Sequence, residues 1–301
     1  MALWLGETGV PAYFFISGML LFYSKKSYTQ KLSSRIRTLL IPYLFFNSII
    51  LIGYIILSLS GRPAVILEKD LADYGIIDYL RAYWDRGSWS NGNGSPLLCP
   101  FWYIRNLIVL VIISPVLYYV VKYTKLLFPM IVGLLWINSY DSAYTLQSLT
   151  MFSLGAYFPI NDKNPIVVFD QYKHLFLCLF IFLGVIDMSH AFITIPFSSQ
   201  IHRLSLISNV MLLLWIGERL PKWQLYSPFL SKSSFFVFCI HYPIVLGFRS
   251  VFSRLYGWPD IVLILLYVCS VIVVTSVCVI VYNLMRKTLP RLLNVITGSR
   301  D

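Results

Sequence analysis

Ile261-Val-Leu-Ile-Leu-Leu-Tyr-Val-Cys-Ser-Val-Ile-Val-Val-Thr-Ser-Val-Cys-Val-Ile-Val-Tyr-Asn-Leu-Met285 runs for 25 residues without a charge. A helix needs about 20 mostly apolar residues to cross the hydrocarbon core of a bilayer. The stretch therefore reads as a membrane-spanning helix. Working outward, eight further apolar segments fall at about 8–23, 39–59, 104–121, 126–140, 143–160, 174–187, 203–217 and 233–248. Together they predict an all-α, polytopic integral-membrane helix bundle of about nine spans, forming a single transmembrane domain over residues 1–301. Pro42, Pro115 and Pro243 lie inside these segments. Neighbouring helices can satisfy the backbone groups that such prolines free.

Composition agrees. Of 301 residues, 58% are apolar and 12% charged, about half the usual charged share. Such a chain cannot clothe a soluble enzyme in polar surface, and it is too apolar to be disordered. Cys99, Cys178, Cys239, Cys269 and Cys278 are scattered, with no CxxC pair and no zinc spacing, so no metal and no disulfide framework is assigned. The net charge of +11 is read as the loop bias of membrane proteins rather than as a nucleic-acid footprint.

Assigning alternate connections to two sides puts 16 Lys and Arg on one side and 8 on the other. The richer side is cytoplasmic by the positive-inside rule. It carries a net +12, and the outer side −1. The C-terminus then lies inside and the N-terminus outside. An outside start without a basic leader is uncommon, so the pattern predicts one more span upstream of Met1. The long outer connection at about 60–103 has an acidic first half and a Gly/Ser/Asn-rich, turn-prone stretch at 85–96.

Three stretches could carry chemistry. The first is Gly9-Val-Pro-Ala-Tyr-Phe-Phe-Ile-Ser-Gly18, followed by Lys25, Lys26, Lys31, Arg35 and Arg37 and then Pro42-Tyr43. Five cations between two spans can anchor topology at an anionic leaflet. They can equally grip phosphates, since the guanidinium fork matches phosphate oxygens. The second is Pro100-Phe-Trp102-Tyr103-Ile-Arg105-Asn-Leu107. Its aromatics suit a membrane interface, and an Arg beside them suits a sugar or a carboxylate. The third is Ile240-His241-Tyr242-Pro243 inside a strongly apolar helix. An ionisable group at membrane depth is either functional or hydrogen-bonded between helices.

These stretches, in this order, resemble the acyltransferase 3 family of integral-membrane acyltransferases. The likeness covers most of the chain. It rests on the Gly-Val-Pro-x-x-Phe-Phe-Ile-Ser-Gly run, on Arg35 to Tyr43, on Pro100 to Leu107 and on Ile240 to Pro243. The resemblance implies transfer of an acyl group, often acetyl, from cytoplasmic acyl-CoA to a hydroxyl of a sugar, polysaccharide or other glycoconjugate. It implies a place in a bacterial inner membrane. Acyl-CoA is then a donor substrate, and no bound cofactor is expected.

By this likeness Arg35 and Arg37 hold the donor's phosphates, while Trp102, Tyr103 and Arg105 shape the acceptor side. Family members open with a further span carrying a His taken as catalytic. That span does not occur in this sequence, which begins at what resembles the second span. His241 is then the intramembrane candidate for the base, or a supporting residue. Two other classes fit the same spans. A transporter or flippase would be expected to show paired internal repeats, and none is found. A catalytically inactive family member is the other.

Overall fold

The computed structural model describes residues 6–61, 65–66, 69–87, 94–139, 144–190, 193–220, 227–252 and 259–298. The fold is helical throughout, apart from a two-residue antiparallel pair, Val65–Ile66 with Lys69–Asp70. In chain order the α-helices are α1 (Gly9–Tyr23), α2 (Tyr28–Arg35), α3 (Ile41–Leu59), α4 (Ile76–Trp84), α5 (Trp102–Ile112), α6 (Ser114–Thr124) and α7 (Leu127–Ile137). There follow α8 (Tyr144–Ile160), α9 (Pro165–Gln171), α10 (Lys173–Ser189), α11 (Ser198–Arg219), α12 (Pro228–Phe252), α13 (Asp260–Thr288) and α14 (Pro290–Ile296).

Among the described residues, three helical stretches are long and apolar enough to cross a membrane: Tyr28–Leu59, Phe229–Arg249 and Ile261–Thr288. The number rises to five if two bent pairs each count as one span. It therefore falls short of the nine segments predicted, for identifiable reasons. The predicted span at 104–121 is two helices bent by 72°, α5 and α6, with Pro115 at the start of α6. Pro cannot accept the helix from the preceding turn. Helices α1 and α7 have 15 and 11 residues and are too short by themselves. α11 has 22 residues, but its serines, His202, Arg203 and Asn209 dilute its hydropathy. The basic connection predicted at 24–38 is largely helical. α2 runs through a π-helix (Ile36–Leu40) into α3, so Arg35 and Arg37 stand on a continuous helix rather than in a loop.

The chain divides into two compact units, residues 1–32 with 106–225, and residues 33–105 with 226–301. In the first unit, α1 and α8 cross with their backbones in contact. A Cβ built on Gly18 would lie 2.1 Å from the Phe152 carbonyl oxygen, and one on Gly155 would lie 2.0 Å from that of Phe15. Only hydrogen fits at either place, which is how small residues let apolar helices associate where no hydrophobic driving force acts between them. Beside the crossing, Phe15, Phe158 and Phe169 pack ring on ring at 5.8 to 6.5 Å, with Val210 and Met211 of α11 against them. Arg203 closes the end of α7, donating to the carbonyls of Trp136, Ile137 and Ser139. These are carbonyls that a helix C-terminus leaves without partners.

His202 sits in the first turn of α11, ahead of its apolar stretch. Its Nε2 meets Glu7 at 2.9 Å and its Nδ1 meets Asp187 at 2.8 Å. The Glu7 hydrogen bond, aided by Asp187 and opposed by burial, raises the imidazole to about 9.

In the second unit, α12 packs along α13, and an aromatic ladder joins them to α3. Phe46 meets Phe236 at 6.4 Å, and Phe236 meets Tyr282 at 5.8 Å. α14 lies against the start of α3, and Gly298 follows it with a left-handed φ of 70°. A Cβ at Gly298 would come within 2.5 Å of Thr38 Cα. Both its conformation and its closeness to the π-helix therefore require glycine.

Replacing Gly18 or Gly155 by Leu is expected to cost roughly 3 kcal/mol or more through overpacking. It would be seen as a lowered thermal midpoint in detergent. Gly53→Ala, whose Cβ meets nothing within 4 Å, should leave the midpoint unchanged. For His202, a folded value above the free one means stability that is complete below about pH 6.5 and lost as pH rises through about 9. With Glu7 half exposed, screening leaves roughly 1 kcal/mol of this. Midpoints measured from pH 6.5 to 9.5 should fall in the wild type and stay flat in His202→Gln.

Candidate active site

All six residues singled out from the sequence lie in the second unit. The site is built around a chain segment that turns back among helices. After α4 the backbone runs through the residues around Gly94 into a 3-10 turn (Cys99–Phe101) and so into α5. Backbone polar groups in apolar surroundings must find partners within the protein. Two side chains supply them. Asn47 of α3, fully buried, accepts from the Leu98 N–H at 2.9 Å and donates to the Tyr43 carbonyl at 2.8 Å. Arg105 of α5, 6% exposed, donates through Nη1 to the Trp84 carbonyl and through Nη2 to the Gly94 carbonyl at 2.9 Å. Its guanidinium also lies 5.0 Å from the Trp84 ring centre. The two ends of the loop are thus stapled by one fork.

Asp85 tightens the same loop by accepting from the N–H groups of Gly87 at 2.8 Å and Gly94 at 3.0 Å. The Arg86 N–H donates to the Ser95 carbonyl at 2.8 Å. The Tyr43 hydroxyl donates to the Tyr83 carbonyl, and Ser48 shares a 2.7 Å hydrogen bond with the Tyr83 hydroxyl. Residues 88–93 of the turn-prone stretch lie outside the described residues.

Aromatic rings carry the segment to α12. Phe101 stacks on Phe238 at 5.8 Å and an interplanar angle of 6°, and Tyr43 stacks on Phe101 at 5.8 Å. Tyr103 meets the edge of Phe238 at 6.1 Å, and His241 lies 6.0 Å from the same ring. Phe238 is therefore the common neighbour of Tyr103 and His241. Arg35 is within electrostatic reach of Tyr103 and is partly buried. Arg37, two residues on, is exposed, and its carbonyl oxygen lies against Gly298. Trp102 opens α5.

The His241 ring has a defined protonation pattern. Its Nδ1 lies 2.8 Å from the Phe238 carbonyl and 3.2 Å from that of Val237. A carbonyl oxygen can only accept, so Nδ1 carries a hydrogen, and Nε2 is the nitrogen whose lone pair is available whenever the ring is neutral. This is the tautomer a proton acceptor needs.

Several participants were not singled out from the sequence. Asn47 had a signal: it is an amide within the apolar run Phe45-Phe46-Asn47, where a polar side chain serves as interhelical glue. Trp84, Asp85 and Arg86 had none, because what they engage is mostly backbone. Tyr242 follows His241, and its hydroxyl is within reach of Cys99 and of the Arg86 guanidinium. Among the described residues no group of three His, Cys, Asp or Glu could hold a metal ion.

The comparisons with known proteins agree with this architecture. The succinoglycan biosynthesis protein ExoH of Rhizobium meliloti (strain 1021) is 24% identical over 318 residues, covering 100% of this chain and 82% of that protein. No solved structure matches. The model of the acyltransferase 3 family, described as an acyltransferase domain, matches residues 3–283, nearly the whole chain, and the protein belongs to that family.

Proposed function

We propose that the protein is an integral-membrane O-acyltransferase. It moves an acyl group, acetyl in the simplest case, from acyl-CoA to a hydroxyl of a cell-surface glycan or its precursor. Family membership supports acyl transfer, and the relative named for succinoglycan biosynthesis supports a polysaccharide acceptor. The observation that carries the reading is that Tyr103 and His241 share the Phe238 ring as a neighbour, with Arg35 within electrostatic reach of Tyr103.

A hydroxyl is a weak nucleophile at neutral pH. The proposed base, His241 Nε2, takes its proton as the oxygen attacks the thioester carbonyl. The tetrahedral intermediate then collapses, the C–S bond breaks, and CoA leaves as a thiolate that recovers the proton from the imidazolium. Arg35, on the continuous helix α2–α3, holds donor phosphates together with Arg37. Tyr103 and Trp102 line the acceptor side. Arg105 acts there by fixing the loop between Trp84 and Gly94. In the proposed orientation the basic end of this helix and the C-terminus face the cytoplasm of a bacterial inner membrane.

The test is transfer of label from acyl-CoA to a glycan acceptor by the chain in lipid nanodiscs. His241→Ala is expected to lower kcat by 100-fold or more. Arg35→Gln should raise KM for acyl-CoA about tenfold with a smaller change in kcat. Arg105→Gln is expected to lower both the thermal midpoint and kcat, because two part-buried carbonyls lose their donor. Wild-type activity in His241→Ala would overturn the base. Solute flux without acyl-CoA would overturn acyl transfer.

A further inference from the structure

Within the second unit a cavity of about 390 Å³ opens between α3, the loop after α4 and α12. That volume lies at the lower end of small-molecule sites, which span roughly 300–1,000 Å³. Its walls are aliphatic along most of their length, with Gly53, Leu57, Leu98 and Leu246 among them. Gly53 leaves room there, since a Cβ on it would meet no atom within 4 Å. Arg86, Tyr54 and Tyr242 are the polar lining. Among the described residues no carboxylate pairs with Arg86, and the charged side chain faces the Tyr242 hydroxyl.

A second observation gives the depth of this arrangement. α4 is amphipathic. Asp78 and Ala82 are buried, while Ile76, Ile77, Leu80 and Trp84 stand 56 to 81% exposed. A short helix with such a stripe, ending in Trp, lies in the interface between headgroups and chains. Arg86 follows Trp84 by two residues, so it stands at the depth of lipid phosphates. The walls along α3 belong to a stretch apolar enough to span the hydrocarbon. The cavity thus joins a cation at headgroup depth to an apolar channel below it.

We propose that the groove seats the hydrocarbon chain of a phosphate-bearing lipid that carries the acceptor glycan, with its phosphate on Arg86. The assignment of the lipid as substrate carrier rests on the acyltransferase reading. Tyr242 of the groove directly follows His241, and Leu98 leads through Cys99 into Phe101, which stacks on the ring beside His241. Arg86 and His241 are thus linked through Tyr242, whose hydroxyl the first faces and which the second precedes on α12. A lipid anchor also gives an acceptor a membrane-bound effective concentration that a free sugar lacks.

The experiment uses the full chain in nanodiscs with three probes: a disaccharide linked to dodecyl phosphate, the neutral dodecyl disaccharide, and phosphatidylglycerol as competitor. The wild type should bind the phosphate probe at least tenfold more tightly than the neutral one. Gly53→Phe, which fills the groove, and Arg86→Gln should each weaken it about tenfold, while Gly53→Ala keeps it. Unchanged thermal midpoints would show that both variants fold. If Gly53→Phe binds like the wild type, the groove is overturned. If phosphatidylglycerol displaces the probe at equal concentration, the site is a structural phospholipid site and the carrier proposal is overturned.

In the transfer assay, the preference for the phosphate-linked over the free disaccharide should fall at least tenfold in both variants. An unchanged preference overturns the carrier proposal. A wild type that acylates neither acceptor overturns the acyltransferase reading instead, and the binding arm still decides whether the groove takes the lipid.

Discussion

A backbone that turns back among apolar helices must leave no N–H or C=O without a partner, because no solvent is there to serve it. Among the described residues between Trp84 and Phe101, Arg105 partners the Trp84 and Gly94 carbonyls and Asn47 the Leu98 N–H. Everything proposed for the second unit rests on that segment being held. The Phe101–Phe238 stack, the approach of Tyr103 to the same ring and the wall formed by Leu97 and Leu98 all follow from where these two side chains place it. The arrangement explains why an arginine can be buried at such depth. Its charge is met by two carbonyl dipoles and an indole face, with the Asp85 carboxylate also within electrostatic reach.

The first unit relies on close packing at its centre, and it also holds the ion pairs of His202 with Glu7 and Asp187 and of Arg219 with Asp170. Its central crossing uses Gly18 and Gly155 to bring peptide groups into direct contact, and dispersion over that close approach does the work. Arg203 donates to carbonyls at the end of α7, which a helix cannot satisfy internally, while His202 is held between the Glu7 and Asp187 carboxylates. One unit is packed, the other stapled, and the candidate chemistry lies in the stapled one. A cation or imidazole used for catalysis has to be kept in apolar surroundings by polar partners, and the second unit gathers such partners around Arg105.

Much of this was readable from residues alone. The uncharged stretch from Ile261 to Met285 becomes most of α13, and the six residues singled out from the motif-bearing stretches fall in one unit, although the Gly9–Gly18 run lies in the other. The misreadings have physical causes. Lys31, Arg35 and Arg37 gave 24–38 the look of a loop, because charge hid a helical path that α3 propagates backward through the π-helix. Pro115 broke a hydropathic span in two, and a hydropathy window does not register a bend of 72°. The staple of Arg105 was invisible in principle. Its partners are carbonyl groups, which every residue carries and no residue name records. Asn47 was the missed opportunity, since an amide inside an apolar run has to be bonded to something.

The π-helix from Ile36 to Leu40 has a consequence for how this protein can vary. A π-turn amounts to an α-helix that has taken in one extra residue. Removing a single residue there would leave hydropathy and helix length nearly untouched. It would swing Arg35 about 100° around the axis relative to α3, one residue's worth of helical rotation. The direction in which the proposed donor-binding cation points is therefore controlled by length rather than by side-chain identity. Descendants of this gene could retune that end of the molecule by a one-codon insertion or deletion, a change that substitution-based comparison of sequences would pass over as a gap.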